Sequence, residues 1–248
     1  MLGVKLEFHI EDDFGLFPEG EAVSGRFFAL GQDVDVRIPR LPYQIALKLM
    51  TLHAPPVGID NARVNAIPHQ LYDLDALLDQ LADAEQWNVL ADYTLRRYLK
   101  EERQRERTPA ADGPWASIIR RLSAWSQADV PNLPFGGLIR AFQASQVATA
   151  MARPPAQWRG RVRRLQFAVA GLAAGRDGYP RWTRARALEA RIAEPAGPKL
   201  KAYRAALATV TGEPAKTLGQ FPRVPFWEHL ATVADPDGAL DALDAVLL

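Results

Sequence analysis

The chain has 248 residues, and its 30 Lys and Arg against 29 Asp and Glu give a formal net charge of only +1. Hydrophobic residues make up 48% of it, enough for one large globular domain or two small ones. The absence of cysteine excludes disulfides, thiolate metal sites and a cysteine nucleophile. Because the sequence contains no long apolar run and no signal pattern, we expect a cytosolic protein without a membrane partner.

The first forty residues carry the pattern of strands. Apolar and polar residues alternate from Val4 to Ile10, which places Glu7 on the half-exposed face of an early strand. Two more strands are predicted at Ala22–Leu30 and Asp33–Ile38, with a hairpin turn between them. Three strands this short do not bury an inner face alone, so we expect them to pack on helices or on further strands that precede them.

Two helices separated by an irregular segment come next. Pro42 is well placed to begin the first helix, in which an apolar stripe runs beside Lys48. Prolines and the lack of any period predict a loop from Ala54 to Pro68. Leucines at helical spacing then predict the second helix, which carries the acidic residues Asp73 and Asp75 near its start.

The remainder of the chain is predicted to be helical. A helix at Trp87–Glu106 ends in KEERQRER, which has no apolar face and is expected to project into water. Thr108–Pro114 is the best linker, so we divide the chain into residues 1–107, with the sheet and the first helices, and residues 115–248. Proline and glycine punctuation predicts helices at Trp115–Trp125, Pro134–Met151, Ala156–Ala174, Tyr179–Ala193, Pro198–Val210, Pro225–Val233 and Pro236–Leu248. The predicted class is α+β: a small N-terminal antiparallel or mixed sheet followed by a mostly helical domain.

Arginines are unevenly distributed, with clusters at 96–107, 120–121 and 153–191. Such clusters are typical of a nucleic-acid-binding face, and equally of solvated helix faces in a sequence rich in Arg and Ala. Composition favours the second interpretation for any single cluster and leaves the first open.

Most catalytic motifs are absent from the sequence. The histidines are scattered without HExxH spacing, and there is no GxSxG, SxxK, Walker or GxGxxG motif. Asp33 and Asp35 alternate on one strand face, as carboxylates that share Mg²⁺ do, but ordinary exposed alternation also explains them and is favoured.

Of the residue pairs in the sequence, Lys48 and Asp73 are the strongest candidates for a chemical role. A lysine on one helix and an aspartate in the first turn of the next are able to meet across the loop between them. Lys48 would then present a point charge to a phosphate, with Asp73 orienting it. The alternative, which spacing alone favours, is a structural ion pair or an aspartate placed at a positive helix N-terminus.

The same residues carry a family resemblance. The segments PYQIALKL and, after a loop, HQLYDLDALL resemble the paired segments of the AbiEii/AbiGii-type nucleotidyltransferase toxins. In that family one helix reads roughly A-E-K-L, and the next begins roughly R-x-K-D-L-Y-D-L. The matching residues are Ala46, Lys48, Leu49, Leu71, Tyr72, Asp73 and Leu74. The strand VKLEFHI also resembles the family strand that carries a metal-binding carboxylate.

The resemblance implies an activity and a set of roles. It implies a nucleotidyltransferase-like sheet at the N-terminus and a toxin that transfers a nucleotide from an NTP to RNA with Mg²⁺. Glu7 would be a metal ligand, Lys48 would contact the NTP phosphates, and Asp73 would support Lys48 or the nucleophile. The implied partners are a cognate antitoxin and an RNA such as tRNA. A homo-oligomer is a separate expectation, which comes from the exposed edges of the small sheet.

The sequence also departs from the family pattern. Leu47 replaces the glutamate before the lysine, and His69 and Gln70 replace a basic–acidic pair. The family's G-S and D-x-D motifs would precede the strand at Val4, so either they lie upstream of Met1 or the chain is a degenerate relative. The alternative function is a non-catalytic helical interaction module that binds a partner protein or RNA.

Overall fold

A computed structural model describes residues 21–27, 32–127, 134–146, 155–193, 205, 207–209 and 223–247. The strands in this part of the chain form one antiparallel hairpin of β1 (Glu21–Phe27) and β2 (Gln32–Ile38). The register pairs Glu21 with Ile38 and Phe27 with Gln32, so the two strands predicted here are confirmed. The strand predicted at Val4–Ile10, with Glu7, lies outside the described residues.

The predicted α+β class is wrong. Outside the hairpin, the described residues are almost entirely helical, and no larger sheet occurs among them. A two-stranded hairpin offers too little surface to form a layer of its own, so the helices pack on one another instead. Within the same residues, no helix is both long and apolar enough to cross a bilayer.

Local signals set the starts of the first helices. These helices are α1 (Leu41–Thr51), α2 (Ile67–Leu78), which directly follows a 3₁₀ helix (Asn61–Ala66), α3 (Ala84–Gln104) and α4 (Trp115–Gln127). Helices α1 and α2 each have a proline in the first turn, where a backbone N–H would lack an intrahelical partner. Helix α3 begins after Asp83, whose carboxylate accepts a hydrogen bond from the backbone N–H of Gln86 at 2.8 Å.

Five more helices are described in the second half of the chain. They are α5 (Pro134–Gln146), α6 (Pro155–Ala173), α7 (Gly178–Ala193), α8 (Arg223–Thr232) and α9 (Pro236–Leu247). The helices predicted at these places are confirmed. Most of the helix predicted at Pro198–Val210 lies outside the described residues.

Helix α6 lies at the centre of the helical body. It packs against α2, α3, α4, α7 and α8, and every residue from 162 to 169 is buried. A surface helix buries one stripe, whereas α6 buries its whole circumference over two turns. Its polar residues in this stretch therefore need partners from the surrounding helices.

Tryptophans from three helices fill the core beside α6. The ring of Trp182 on α7 stacks on Trp87 of α3 at 6.1 Å between centroids, and Trp227 of α8 lies 5.8 Å from Trp182 on α7. One cluster of buried residues thus contains side chains from before and after the segment predicted as a linker. The division into two domains at Thr108–Pro114 stays a prediction.

The end of α3 differs from the prediction that it projects into water. Tyr98 and Glu102 are each only 3% exposed. The backbone N–H of Ala110 donates to the Tyr98 hydroxyl at 2.8 Å, and Arg107 lies 3.5 Å from the Glu102 carboxylate. The chain therefore turns back after α3 and buries polar residues in a segment where no apolar pattern predicts burial.

Two glycines allow α6 and the start of α7 to approach closely. A Cβ on Gly178 would lie 1.9 Å from the carbonyl oxygen of Gly171, far inside van der Waals contact. On Gly137 in α5, by contrast, a Cβ would meet nothing within 4 Å.

We expect Gly178→Ala to destabilise the protein by about 1–3 kcal/mol, because the added methyl group forces α6 and α7 apart. Gly137→Ala is the matched control and is expected to be neutral or to stabilise its helix by up to about 1 kcal/mol. Urea unfolding of both variants measures the difference. Equal stabilities of the two variants would show that the close approach is absent in solution.

Candidate functional site

Lys48 and Asp73 meet on the surface between α1 and α2. The Lys48 ammonium donates to Asp73 Oδ2 at 2.7 Å, and each side chain is 28% exposed. Lys48 lies beside the buried stripe of α1 that includes Ile45 and Leu49, so its stem is anchored while its head reaches the surface. The structure therefore brings together the two residues that the sequence pairs across the loop.

His69 is a third member of this group, and no role was predicted for it from the sequence. Its Nε2 lies 3.3 Å from the same Asp73 oxygen that Lys48 contacts. Its ring stacks on Phe142 of α5 at 5.7 Å between centroids. The i, i+4 spacing of His69 and Asp73 on α2 was a signal for this contact, since such residues face each other on a helix.

Asp75, two residues further along α2, faces the interior instead. Its carboxylate binds Arg161 at 2.7 Å and Arg164 at 2.6 Å, both from α6. Residues two apart on a helix point in different directions, so Asp73 and Asp75 serve different structures. The acidic pair that the sequence places at the start of α2 is thus divided between the surface and the core.

Arg164 is the most heavily partnered charge of the core. Besides Asp75, it contacts the carboxylates of Asp79 and, at 3.4 Å, Glu189 of α7. Its guanidinium also lies over the rings of Trp182 at 4.8 Å and Trp227 at 5.6 Å. Burial works against the charged form, but the surrounding carboxylates raise the pKa of Arg164 above its ordinary value, so it stays protonated.

Other arginines of the 153–191 cluster are also paired within the chain. Among the described residues, the pairs are Arg159 with Glu228, Arg181 with Asp237, Arg184 with Asp241 and Asp244, Arg186 with Asp79, and Arg191 with Asp244. The acidic partners come from α8, from α9 and, with Asp79, from the residue that follows α2. These arginines hold helices together, which is a third role beside nucleic-acid binding and solvation of helix faces.

The loop between α1 and α2 sets the position of Lys48 relative to Asp73. The backbone N–H of Ile59 donates to the Thr51 carbonyl at 2.9 Å, which closes the loop at its base. Arg121 of α4 donates to the carbonyls of both His53 and Ile59, and Ser117 accepts from the Ala54 N–H at 3.1 Å. Helix α4 therefore fixes the loop from outside.

The described residues do not by themselves fit a Mg²⁺ site. They contain no group of three or more His, Asp or Glu side chains that would hold a metal ion. The Asp73 carboxylate already contacts the Lys48 ammonium and the His69 ring nitrogen. Asp33 and Asp35 lie on β2 opposite Arg26 and Ser24 in the hairpin register. Glu7, the predicted ligand, lies outside the described residues.

Both segments that form the Lys48–Asp73 pair lie within a match to a family of nucleotidyl transferase toxins. The family model, nucleotidyl transferase AbiEii toxin, type IV TA system, matches residues 2–169. Because the match spans more than half of the chain, the chain belongs to this toxin–antitoxin family, and the predicted resemblance is confirmed. The match ends within α6, so α7, α8 and α9 lie beyond it. No curated protein and no solved structure shows a significant match to the chain.

We expect Asp75→Asn to destabilise the protein by about 3 kcal/mol, because it removes a carboxylate from a buried arginine. Asp73→Asn removes the same charge two residues away, from a partly exposed pair, and is expected to cost less than about 1 kcal/mol. The urea midpoints of the two variants test the assignment. Similar losses would mean that Asp75 is not the core counter-ion of α6.

His53, at the start of the α1–α2 loop, makes the stability of the fold depend on pH. Burial lowers the pKa of His53 and also the pKa of His229 on α8. The folded state therefore prefers neutral imidazoles, and the unfolded state binds protons first as the pH falls below about 6.5.

The contribution of the neutral histidines to the free energy of unfolding is thus expected to be fully present well above the unfolded histidine pKa. It should decrease as the pH is lowered from about 7.5 to 5.5. His53→Gln should flatten this dependence, and the remaining slope should reflect His229. Urea titrations across the pH range measure both. A wild-type slope retained in the His53→Gln variant would contradict the assignment.

Proposed function

We propose that this toxin transfers a nucleotide from an NTP to RNA, with Lys48 contacting the NTP phosphates and Asp73 holding the Lys48 ammonium in place. The ion pair between α1 and α2 is the observation that carries the proposal, together with membership of the nucleotidyl transferase toxin family. A cognate antitoxin is the partner that the type IV family suggests.

The geometry of Lys48 supports a phosphate contact. An ammonium group has three donors, and the bond to Asp73 uses one of them. Partial exposure leaves the others accessible, and the tether to Asp73 reduces the entropy lost when a ligand binds. A triphosphate would approach this point charge without needing a deep cavity.

Mg²⁺ would neutralise the negative charge of the triphosphate. By resemblance, Glu7 would be one of its ligands, and the remaining ligands would also come from outside the described residues. Within those residues, the task of the Lys48–Asp73 pair is to bind and orient the phosphates.

The second candidate function is a helical module that binds RNA or a protein without catalysis. The internal pairing of the arginines on α6 and α7 weighs against a broad RNA-binding face, since those charges already have carboxylate partners. A protein partner such as the antitoxin fits this candidate better. RNA affinity that falls steeply with salt would favour the RNA form, because phosphate contacts release counterions.

Nucleotide transfer is tested with the purified protein, labelled NTPs, Mg²⁺ and tRNA. We expect Lys48→Gln to lower the rate roughly 100-fold or more, as the loss of a phosphate-binding charge does elsewhere. Lys100→Gln on α3 removes the same charge away from the pair and should leave the rate unchanged. Folded wild-type protein that transfers none of the four nucleotides would contradict the enzyme function and favour the interaction module.

A further inference from the structure

His69 presents an open aromatic ring beside the proposed phosphate contact. Its side chain is 55% exposed, although its ring is packed against Phe142 with an interplanar angle of 30°. The Nε2 edge is directed at Asp73. The exposed surface therefore includes ring surface that Phe142 and Asp73 do not cover.

The ring that supports His69 is itself fixed. Phe142 is 8% exposed and lies 5.7 Å from the ring of Tyr72 and 5.9 Å, edge to face, from Trp158. Arg161 completes this cluster by lying over both Tyr72 and Trp158 at 4.9 Å. His69 thus rests on a rigid aromatic base, and little conformational freedom remains to be lost when a ligand stacks on it.

The spacing between His69 and Lys48 suits one nucleotide. Both contact the same Asp73 oxygen, so Lys48 Nζ and His69 Nε2 lie within about 6 Å of each other, the sum of the two distances. The sugar of a nucleotide separates the base from the phosphates by a comparable length. One ligand is therefore able to place its base on the His69 ring and its phosphates at the Lys48 ammonium.

We infer that His69 stacks on the base of the bound nucleotide and is the base-binding residue of this site. The inference rests on the proposed function and adds a base contact to its phosphate contact. Stacking uses the face that all bases share, so His69 gives affinity for nucleotides over inorganic phosphates with little preference among the four bases.

The test compares the affinities of an NTP and of inorganic tripolyphosphate by titration calorimetry. His69→Ala is expected to weaken NTP binding roughly 5- to 100-fold, the range of one base–aromatic stack, with little change for tripolyphosphate. His69→Phe keeps the ring and loses Nε2, so it should retain NTP affinity. Lys48→Gln should weaken both ligands. His69 is mostly exposed, so its variants are expected to stay folded.

Each other outcome separates this inference from the proposed function. Unchanged NTP affinity in His69→Ala, with both ligands weakened in Lys48→Gln, would overturn the base contact and leave the phosphate site standing. Equal weakening of both ligands in His69→Ala would mean that His69 acts through Asp73 and not by stacking. Wild-type protein that binds neither ligand would overturn the proposed function and the inference with it.

Discussion

The buried guanidinium of Arg164 is the constraint on which the helical body depends. A cation is stable inside a protein only where carboxylates and aromatic faces replace water, and here they come from α2, α7 and α8. Those helices are thereby held in one rotation about their axes. Because Asp75 points inward to Arg164, Asp73 two residues earlier is directed to the surface and to Lys48. The core charge thus orients the candidate site.

The two carboxylates of α2 serve different purposes, one the stability of the core and the other the binding of a ligand. The inward carboxylate of α2 has arginine partners that leave it little freedom, whereas the outward one belongs to a half-exposed pair whose partners are free to exchange with a ligand. His69 adds an aromatic surface to the same pair. Most arginines of the 153–191 cluster that the structure describes form internal ion pairs, which is why a high arginine content does not by itself indicate a nucleic-acid-binding face.

Much of the local structure followed from the sequence, whereas the fold class did not. A proline acts within one helical turn, so the start of α1 was close to prediction. Helix α2 begins at Ile67, inside the segment predicted as a loop, and α3 begins at Ala84, before the predicted start at Trp87. The strands of the hairpin were also recognisable from alternation. The prediction of the fold class was wrong because a sheet needs partner strands from distant segments. The alternating pattern does not show how many strands will pair. Glu102 was misplaced for a similar reason: its burial depends on the return of the chain after α3.

At the candidate site, the sequence by itself determined the family, because its short motifs match the family pattern, and it offered the pairing of Lys48 with Asp73 as one of two interpretations. Only the tertiary structure showed that Asp75 belongs to the core and that His69 packs on Phe142. Asp75 meets Arg164 across 89 residues of sequence, and His69 meets Phe142 of another helix. Such contacts depend on how the helices pack, because the charged group or ring that each residue faces belongs to a segment far away in the sequence.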